Sequence, residues 1–148
     1  MTTTHVAGCP LCDEVGGRLV FDGSKLRVIH AVEANFPAFY RVVWKDHVAE
    51  WSDLSPGDRA LCMEAVAVVE QSMRDALAPA KINLAALGNM VPHLHWHVIA
   101  RFGWDTRFPS PVWASPQRGP DPSREAAVEA VLPTLERELV QRLTARSF

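Results

Sequence analysis

The stretch Val91-Pro92-His93-Leu94-His95-Trp96-His97-Val98-Ile99 sets three histidines in strict alternation with Leu, Trp and Val. Side chains on a β-strand switch faces at every residue, so positions two apart share a face. An extended 91–99 lines His93, His95 and His97 along one surface, with successive imidazoles roughly 7 Å apart. It turns Leu94, Trp96 and Val98 the other way, into a core. On a helix the rings would scatter, with 93 and 97 as neighbours and 95 well round the side. The aromatic and β-branched residues, and the proline just ahead of them, favour the strand. One satisfied histidine in an apolar segment is ordinary, but a row of unpaired imidazoles gains no stability. The alternation therefore marks a strand with a working face.

The surrounding chain has 148 residues, enough for one domain with a proper core and short for two. Its 48% hydrophobic and 22% charged residues are ordinary for a globular protein. A formal net charge of −2 gives no global pull toward a nucleic acid polymer or an anionic membrane. The N-terminal Met1-Thr-Thr-Thr-His-Val has no basic region followed by an apolar run, so no secretory signal is expected. No apolar stretch approaches the length of a membrane span. Three cysteines, an odd number, argue against a disulfide scaffold and point to the reducing cytoplasm.

Cys9-Pro-Leu-Cys12 is compatible with half of a zinc site, a redox pair or two small buried residues. The redox reading expects a helix starting at the first cysteine, whereas Asp13 to Gly17 reads as a turn. Arg18–Phe21 and Lys25–His30 form a hairpin around Asp22-Gly-Ser24, and Phe39–Trp44 is a third strand. His47, just beyond it, reads by itself as a surface residue. Ser55 is a helix N-cap, with Pro56 at the first position and Asp58 in the first turn. Leu61, Cys62, Ala65, Val66, Val69, Met73 and Leu77 then form one apolar stripe, and Pro79 ends the helix. Lys81–Leu87 is a fourth strand, joined to the histidine strand through a tight Gly88–Pro92 connection.

Beyond Arg101 the segment from Phe102 to Gly119 is rich in proline and aromatic residues, unsuited to a regular element but able to drape over a surface. Trp113 and its neighbours are expected to cover the active face or to pack across a dimer, with ordinary tucking of an arm as the plain alternative. Asp121 to Glu125 opens a last helix, striped by Val128, Val131, Leu132, Leu135, Leu139 and Leu143. Pro133 is expected to kink or split it.

The run His93-Leu-His95-Trp-His97-Val-Ile99 fits the pattern His-φ-His-φ-His-φ-φ, with φ apolar, and so resembles the histidine triad (HIT) superfamily of nucleotide hydrolases and transferases. Asn83, Gly88 and Asn89 before it and Arg101 after it extend the likeness, which runs from the CxxC turn to about Trp113. Ala100 departs from the proline many members carry there. The resemblance implies an α+β fold, with a five-stranded antiparallel sheet, one long helix and a two-fold dimer. Residues 1–148 then form a single HIT domain, with its core at about 9–113 and a C-terminal arm and helix at 114–148.

The same resemblance implies hydrolysis at the α-phosphate of a nucleoside phosphoanhydride or phosphoramidate, such as a dinucleoside polyphosphate. The reaction runs through a nucleotidyl-histidine intermediate, with His95 as nucleophile and release of a nucleoside monophosphate. The residue chemistry agrees. A neutral imidazole is a competent nucleophile near pH 7 if one ring nitrogen donates to a fixed acceptor and leaves the other lone pair free. His97, further along the same face, can give a proton or hydrogen bond to the leaving group. Asn83, Asn89 and the backbone N–H groups of Gly88–Val91 are candidate donors to the phosphate oxygens, or else ordinary turn and strand-end hydrogen bonds. Gly88 lets the backbone come close. Val28, Phe36 and Phe39 are candidates for the base groove, with core packing the stronger default for each; Glu33 is a candidate for the ribose hydroxyls, and the base itself is expected to be a purine.

HIT proteins with an N-terminal CxxC often carry a structural zinc. The resemblance puts it on Cys9, Cys12, His47 and His93, with His5 as a competing ligand; no organic cofactor is implied. Three rivals stand beside the hydrolase. One is a metal-dependent hydrolase with all three histidines as ligands, which consecutive same-face positions do not easily allow. The others are a nucleotidyltransferase and a non-catalytic nucleotide-binding module.

Overall fold

The computed structural model describes residues 4–148, so Met1 to Thr3, half of the stretch read for a secretory signal, lie outside the described residues. Five strands form one antiparallel sheet: β1 (Arg18–Asp22), β2 (Leu26–His30), β3 (Phe39–Trp44), β4 (Lys81–Ala85) and β5 (His95–Arg101). Their order across the sheet is β1-β2-β3-β5-β4. The single helical turn α1 (Pro10–Asp13) precedes them, and α2 (Pro56–Leu77) and α3 (Pro122–Ala145) complete the α+β architecture. Among the described residues no helix is long and apolar enough to cross a membrane.

Local chemistry accounts for the helix ends. The Ser55 hydroxyl accepts from Asp58 N–H at 3.1 Å, Pro56 opens α2, and Ala78 leaves it with a left-handed φ of 45°. Cys62, Ala65, Val66, Val69 and Met73 are buried as their spacing requires, joined by Val68 and Ser72. Asp121 caps α3 by accepting from Arg124 N–H. Pro133 does not split that helix, which runs unbroken past it. The proline lies on the exposed side, while Val128, Leu132, Leu135, Leu139 and Leu143 hold the helix to the core on either side of the missing hydrogen bond.

The histidine strand is shorter than its alternation suggested. Regular pairing begins at His95; residues 91–94 approach it through a tight turn in which His93 N–H donates to Val91 C=O at 2.8 Å. Pro92 has no N–H to give to a ladder. Leu94 still ties in, accepting from Trp44 N–H and donating to Val48 C=O.

Parity along the strands then separates two faces. Leu26, Val28, Tyr40, Val42, Trp44, Leu94, Val98 and Ala100 join the core shared with α2 and α3, with Trp96 packed at its margin. Val28 is thus fully buried on the helix-covered face, which corrects its candidacy for the base groove. The opposite face carries a cluster of Ala31, Phe36, Phe39, Ile99 and Val112, and a second of Cys9, Leu11, Ile29 and Val43.

A buried ion pair anchors the Pro-aromatic arm at the end of β5. Arg101 and Asp105 side chains are each 2% exposed, with Arg101 Nε 2.9 Å from Asp105 Oδ2. Arg101 also donates to Asn83 Oδ1 at 2.8 Å and to Ser110 C=O at 2.7 Å, between the rings of Phe36 and Phe108. Asp105 accepts in turn from the backbone N–H groups of Phe102, Arg107 and Phe108, so one carboxylate folds the whole loop. The guanidinium beside it and these N–H donors outweigh burial and hold its pKa below the ordinary carboxylate value. Removing one partner of such a pair strands the other as a buried charge. Asp105→Ala is therefore expected to lower unfolding free energy by about 3–5 kcal/mol in urea titration, and a loss under about 1 kcal/mol would show that the pair does not anchor the arm.

Candidate active site

Over the second sheet face lies a cleft of about 520 Å³. Its floor is His95 and His97 from β5 and Arg41 from β3; its walls are Pro10, Leu11, the Leu87–Val91 loop, Glu33 and Trp113. Glu33, Gly88, Asn89, His95 and His97, far apart in the chain, thus share one hollow. Asn83 stands apart: its side-chain oxygen is engaged by Arg101, and it borders a neighbouring groove with Pro109, Pro111 and Trp113. Phe39 is buried with its ring edge-on to His97, centroids 5.5 Å apart, while Phe36 lies beneath Arg101.

The imidazoles are oriented one by one. His95 Nδ1 lies 2.6 Å from His93 C=O, an acceptor only, so Nδ1 carries the proton and the Nε2 lone pair is left free. Burial lowers the His95 pKa against that hydrogen bond, with the Arg41 charge adding to the drop, so the ring is neutral at pH 7. His97 is pushed down to about 4, by burial first and then by the charges of His95 and Arg41. Rings 95 and 97 lean together to 4.9 Å between centroids, closer than the spacing of an idealised strand. Trp113, 55% exposed, meets His97 edge to face with ring centroids 5.4 Å apart and walls the cleft. The covering role expected of the arm has this placement behind it.

Arg41 escaped the sequence reading. It pairs with His97 across the β3–β5 ladder, donates from Nε to His97 Nδ1 at 3.3 Å, and from a terminal nitrogen to Glu33 at 3.3 Å. A signal existed, since a cation in Phe-Tyr-Arg-Val-Val-Trp shares its face with Phe39 and Val43. The register that sets it beside His97 is not written in that segment.

His93 faces a different task. Its Nε2 donates to Trp44 C=O at 2.5 Å, leaving Nδ1 3.5 Å from Cys9 Sγ and 3.4 Å from Cys12 Sγ. His47 Nδ1 lies 3.4 Å from Cys12 Sγ, and all four ligand atoms fall within 4.8 Å of one another. With Zn–S near 2.3 Å and Zn–N near 2.0 Å, a tetrahedral site has S···N edges of roughly 3.5 Å, so this Cys2His2 set fits zinc. His5 is not part of it; its Nε2 contacts Asp13 at 3.1 Å. The turn of α1 directly after Cys9 and the N–H of His47 bonded to Thr4 bring the ligands together. The three triad rings do not converge on one point, which sets the metal-hydrolase rival aside: each is turned by a different partner. Cys62 is buried in the α2 core, its thiol pushed up to about 12, and is a packing residue.

A small α+β domain with a histidine-floored cleft and a thiol–imidazole cluster behind it defines the class, and comparison with known proteins gives the family. The model of the HIT domain matches residues 13–103, and the chain belongs to that family. It is similar to a histidine triad protein from Bradyrhizobium japonicum (25% identity, 93% of this chain and 98% of that one, TM-score 0.72). A HIT protein from Sinorhizobium meliloti is comparably similar (26% identity, 93% and 98%, TM-score 0.70). The fold is shared with a zinc-bound histidine triad family protein from Mycobacterium smegmatis (19% identity, 82% and 88%, TM-score 0.55). No curated protein gives a significant match.

Two outcomes follow. Cys12→Ser is expected to lose the zinc that the wild-type protein retains through dialysis, measured by atomic absorption, with a lower melting temperature; equal zinc content in both would reject the cluster as the site. His97 protonates near 6.5 when unfolded but only near 4 when folded, so the unfolded state holds more protons in between. Its contribution to stability is intact above pH 6.5 and declines as pH falls toward 4; His97→Asn should flatten the pH dependence of the urea midpoint in that window.

Proposed function

We propose that this protein is a nucleotide hydrolase acting at the α-phosphate of a nucleoside phosphoanhydride or phosphoramidate. The observation that carries the reading is the His95 Nδ1 to His93 C=O hydrogen bond of 2.6 Å, which leaves a neutral Nε2 open to the cleft. In the first step the Nε2 lone pair attacks phosphorus, the bond to the leaving group breaks, and its electron pair departs with that group. His97, whose Nδ1 already accepts from Arg41, presents Nε2–H toward the leaving atom. In the second step water attacks the nucleotidyl-His95 phosphorus and the P–N electron pair returns to Nε2. A proton passes to solvent and the nucleoside monophosphate is free.

Charge building on the non-bridging oxygens needs donors held in place. Among the described residues, the backbone N–H groups of Gly88, Asn89, Met90 and Val91 donate to no protein acceptor, and they border the cleft with the exposed Asn89. Gly88 holds a φ of 71°, a left-handed conformation that suits glycine and turns this loop. Glu33, which lines the cleft, takes ribose hydroxyls in this reading. Leu11, Leu87, Met90 and Trp113 offer apolar wall to the base, and a purine covers more of it than a pyrimidine. Asn83 acts indirectly in this reading, through Arg101. Cys9, Cys12, His47 and His93 would hold a structural zinc, which ties His93 and hence the carbonyl that orients His95.

The family includes transferases as well as hydrolases. A cleft of about 520 Å³ suits one nucleotide with its leaving group, which favours water as the acceptor. Two copies would join through β4, an edge strand with Leu84 45% exposed, and the free thiols suit a reducing cytoplasm. His95→Ala is expected to cut monophosphate release from a panel of dinucleoside polyphosphates and phosphoramidates by ~10³-fold or more, with the fold unchanged by circular dichroism. Undiminished turnover would leave a binding module in place of an enzyme.

A further inference from the structure

The nature of the leaving group is open in the reading above, and the surroundings of His97 narrow it. A guanidinium donates and never accepts, so the Arg41 contact makes His97 Nδ1 an acceptor and puts the ring proton on Nε2. The register adds a direction. Arg41 sits opposite His97, whereas the residue opposite the nucleophile His95 is Val43. Among the described residues lining the cleft, Arg41 alone carries a permanent positive charge. That charge is therefore in direct contact with the group facing the leaving atom, whereas it reaches the attacking ring only through its field. Glu33 offsets it at 3.3 Å, from a half-exposed position that an incoming anion can displace.

We propose that Arg41 is a specificity residue that selects substrates whose leaving group is itself a phosphate, such as a dinucleoside polyphosphate, over those that release an amine. The inference rests on the hydrolase reading. A phosphate leaves as an anion near neutral pH, taking the electron pair of the broken P–O bond and needing no proton in the step. It needs a hydrogen bond and a nearby cation, which His97 Nε2–H and Arg41 supply. An amine leaves as a far stronger base and must be given a proton as the P–N bond breaks. Burial first, with the charges of His95 and Arg41 behind it, pushes the His97 pKa down to about 4, so its ring has no spare proton at pH 7. The cleft thus favours one leaving-group class twice: Arg41 adds charge where the anion forms, and the burial of His97 withholds the acid the amine requires.

The test uses the full chain and two substrates that share one adenosine: diadenosine tetraphosphate and an adenosine 5′-phosphoramidate of an alkylamine. The wild type is expected to show the higher kcat/KM on the tetraphosphate. Arg41→Gln is expected to lower that value ~100-fold and the phosphoramidate value by about tenfold or less, and Arg41→Lys to recover part of the loss on the tetraphosphate alone. Equal losses on both substrates, or a wild type that prefers the phosphoramidate, would overturn the proposal. A measurement without variants stands behind these: inorganic tripolyphosphate should inhibit the wild type competitively, and no inhibition at saturating excess would also overturn it. Full turnover by His95→Ala, in contrast, brings down the hydrolase reading itself, so the two failures are told apart.

Discussion

Every polar atom of His93 has a separate partner, and the site is built on that residue. Nε2 donates to Trp44 C=O, Nδ1 faces the two thiols, the backbone N–H closes the turn on Val91, and the carbonyl receives His95 Nδ1. The first contact fixes the ring against the end of β3. The second joins the N-terminal arm to the sheet. The last sets the tautomer of His95. The metal cluster and the proposed chemistry are therefore separated by one peptide unit, and neither can shift without moving the other.

The low pKa of the two cleft histidines is one physical arrangement seen twice. Both rings are buried, both lie near Arg41, and they lie near each other. A site that wants a neutral nucleophile at pH 7 is served by these same conditions. They also constrain what His97 can do, since a ring kept from protonation serves as a hydrogen-bond donor and not as an acid. In the proposed reaction, the electrostatics of the cleft, more than its shape, separate the leaving groups it can handle.

Much of this was legible in the sequence because the signals were local. Ser55-Pro-Gly-Asp58 states a helix start without help from the rest of the chain, and the parity of His95, Trp96, His97 and Val98 states a strand with two unlike faces. What stayed hidden depended on partners far away. Residues 91–94 looked extended because alternation continues through them, yet Pro92 cannot pair and β3 runs out at Trp44. Val28 was open to two readings, core or ligand groove, because the parity of β2 says which residues share a face and not which face the helices cover; it lies in the core. Pro133 looked disruptive because a helix alone feels its missing hydrogen bond, while two buried side chains before it and three after it carry α3 through. Arg41 became readable only once the β3–β5 register set it opposite His97.

The anchoring of the arm at Arg101 and Asp105 has a consequence for how such a protein can diversify. The ion pair closes the loop before Trp113 is reached, so the wall of the cleft hangs from a hinge fixed at the end of β5. Changes downstream of Ser110 alter what the hollow admits while the strand bearing the histidines stays in place. Ligand preference and chemical apparatus are thereby carried on separately mutable stretches of one short chain.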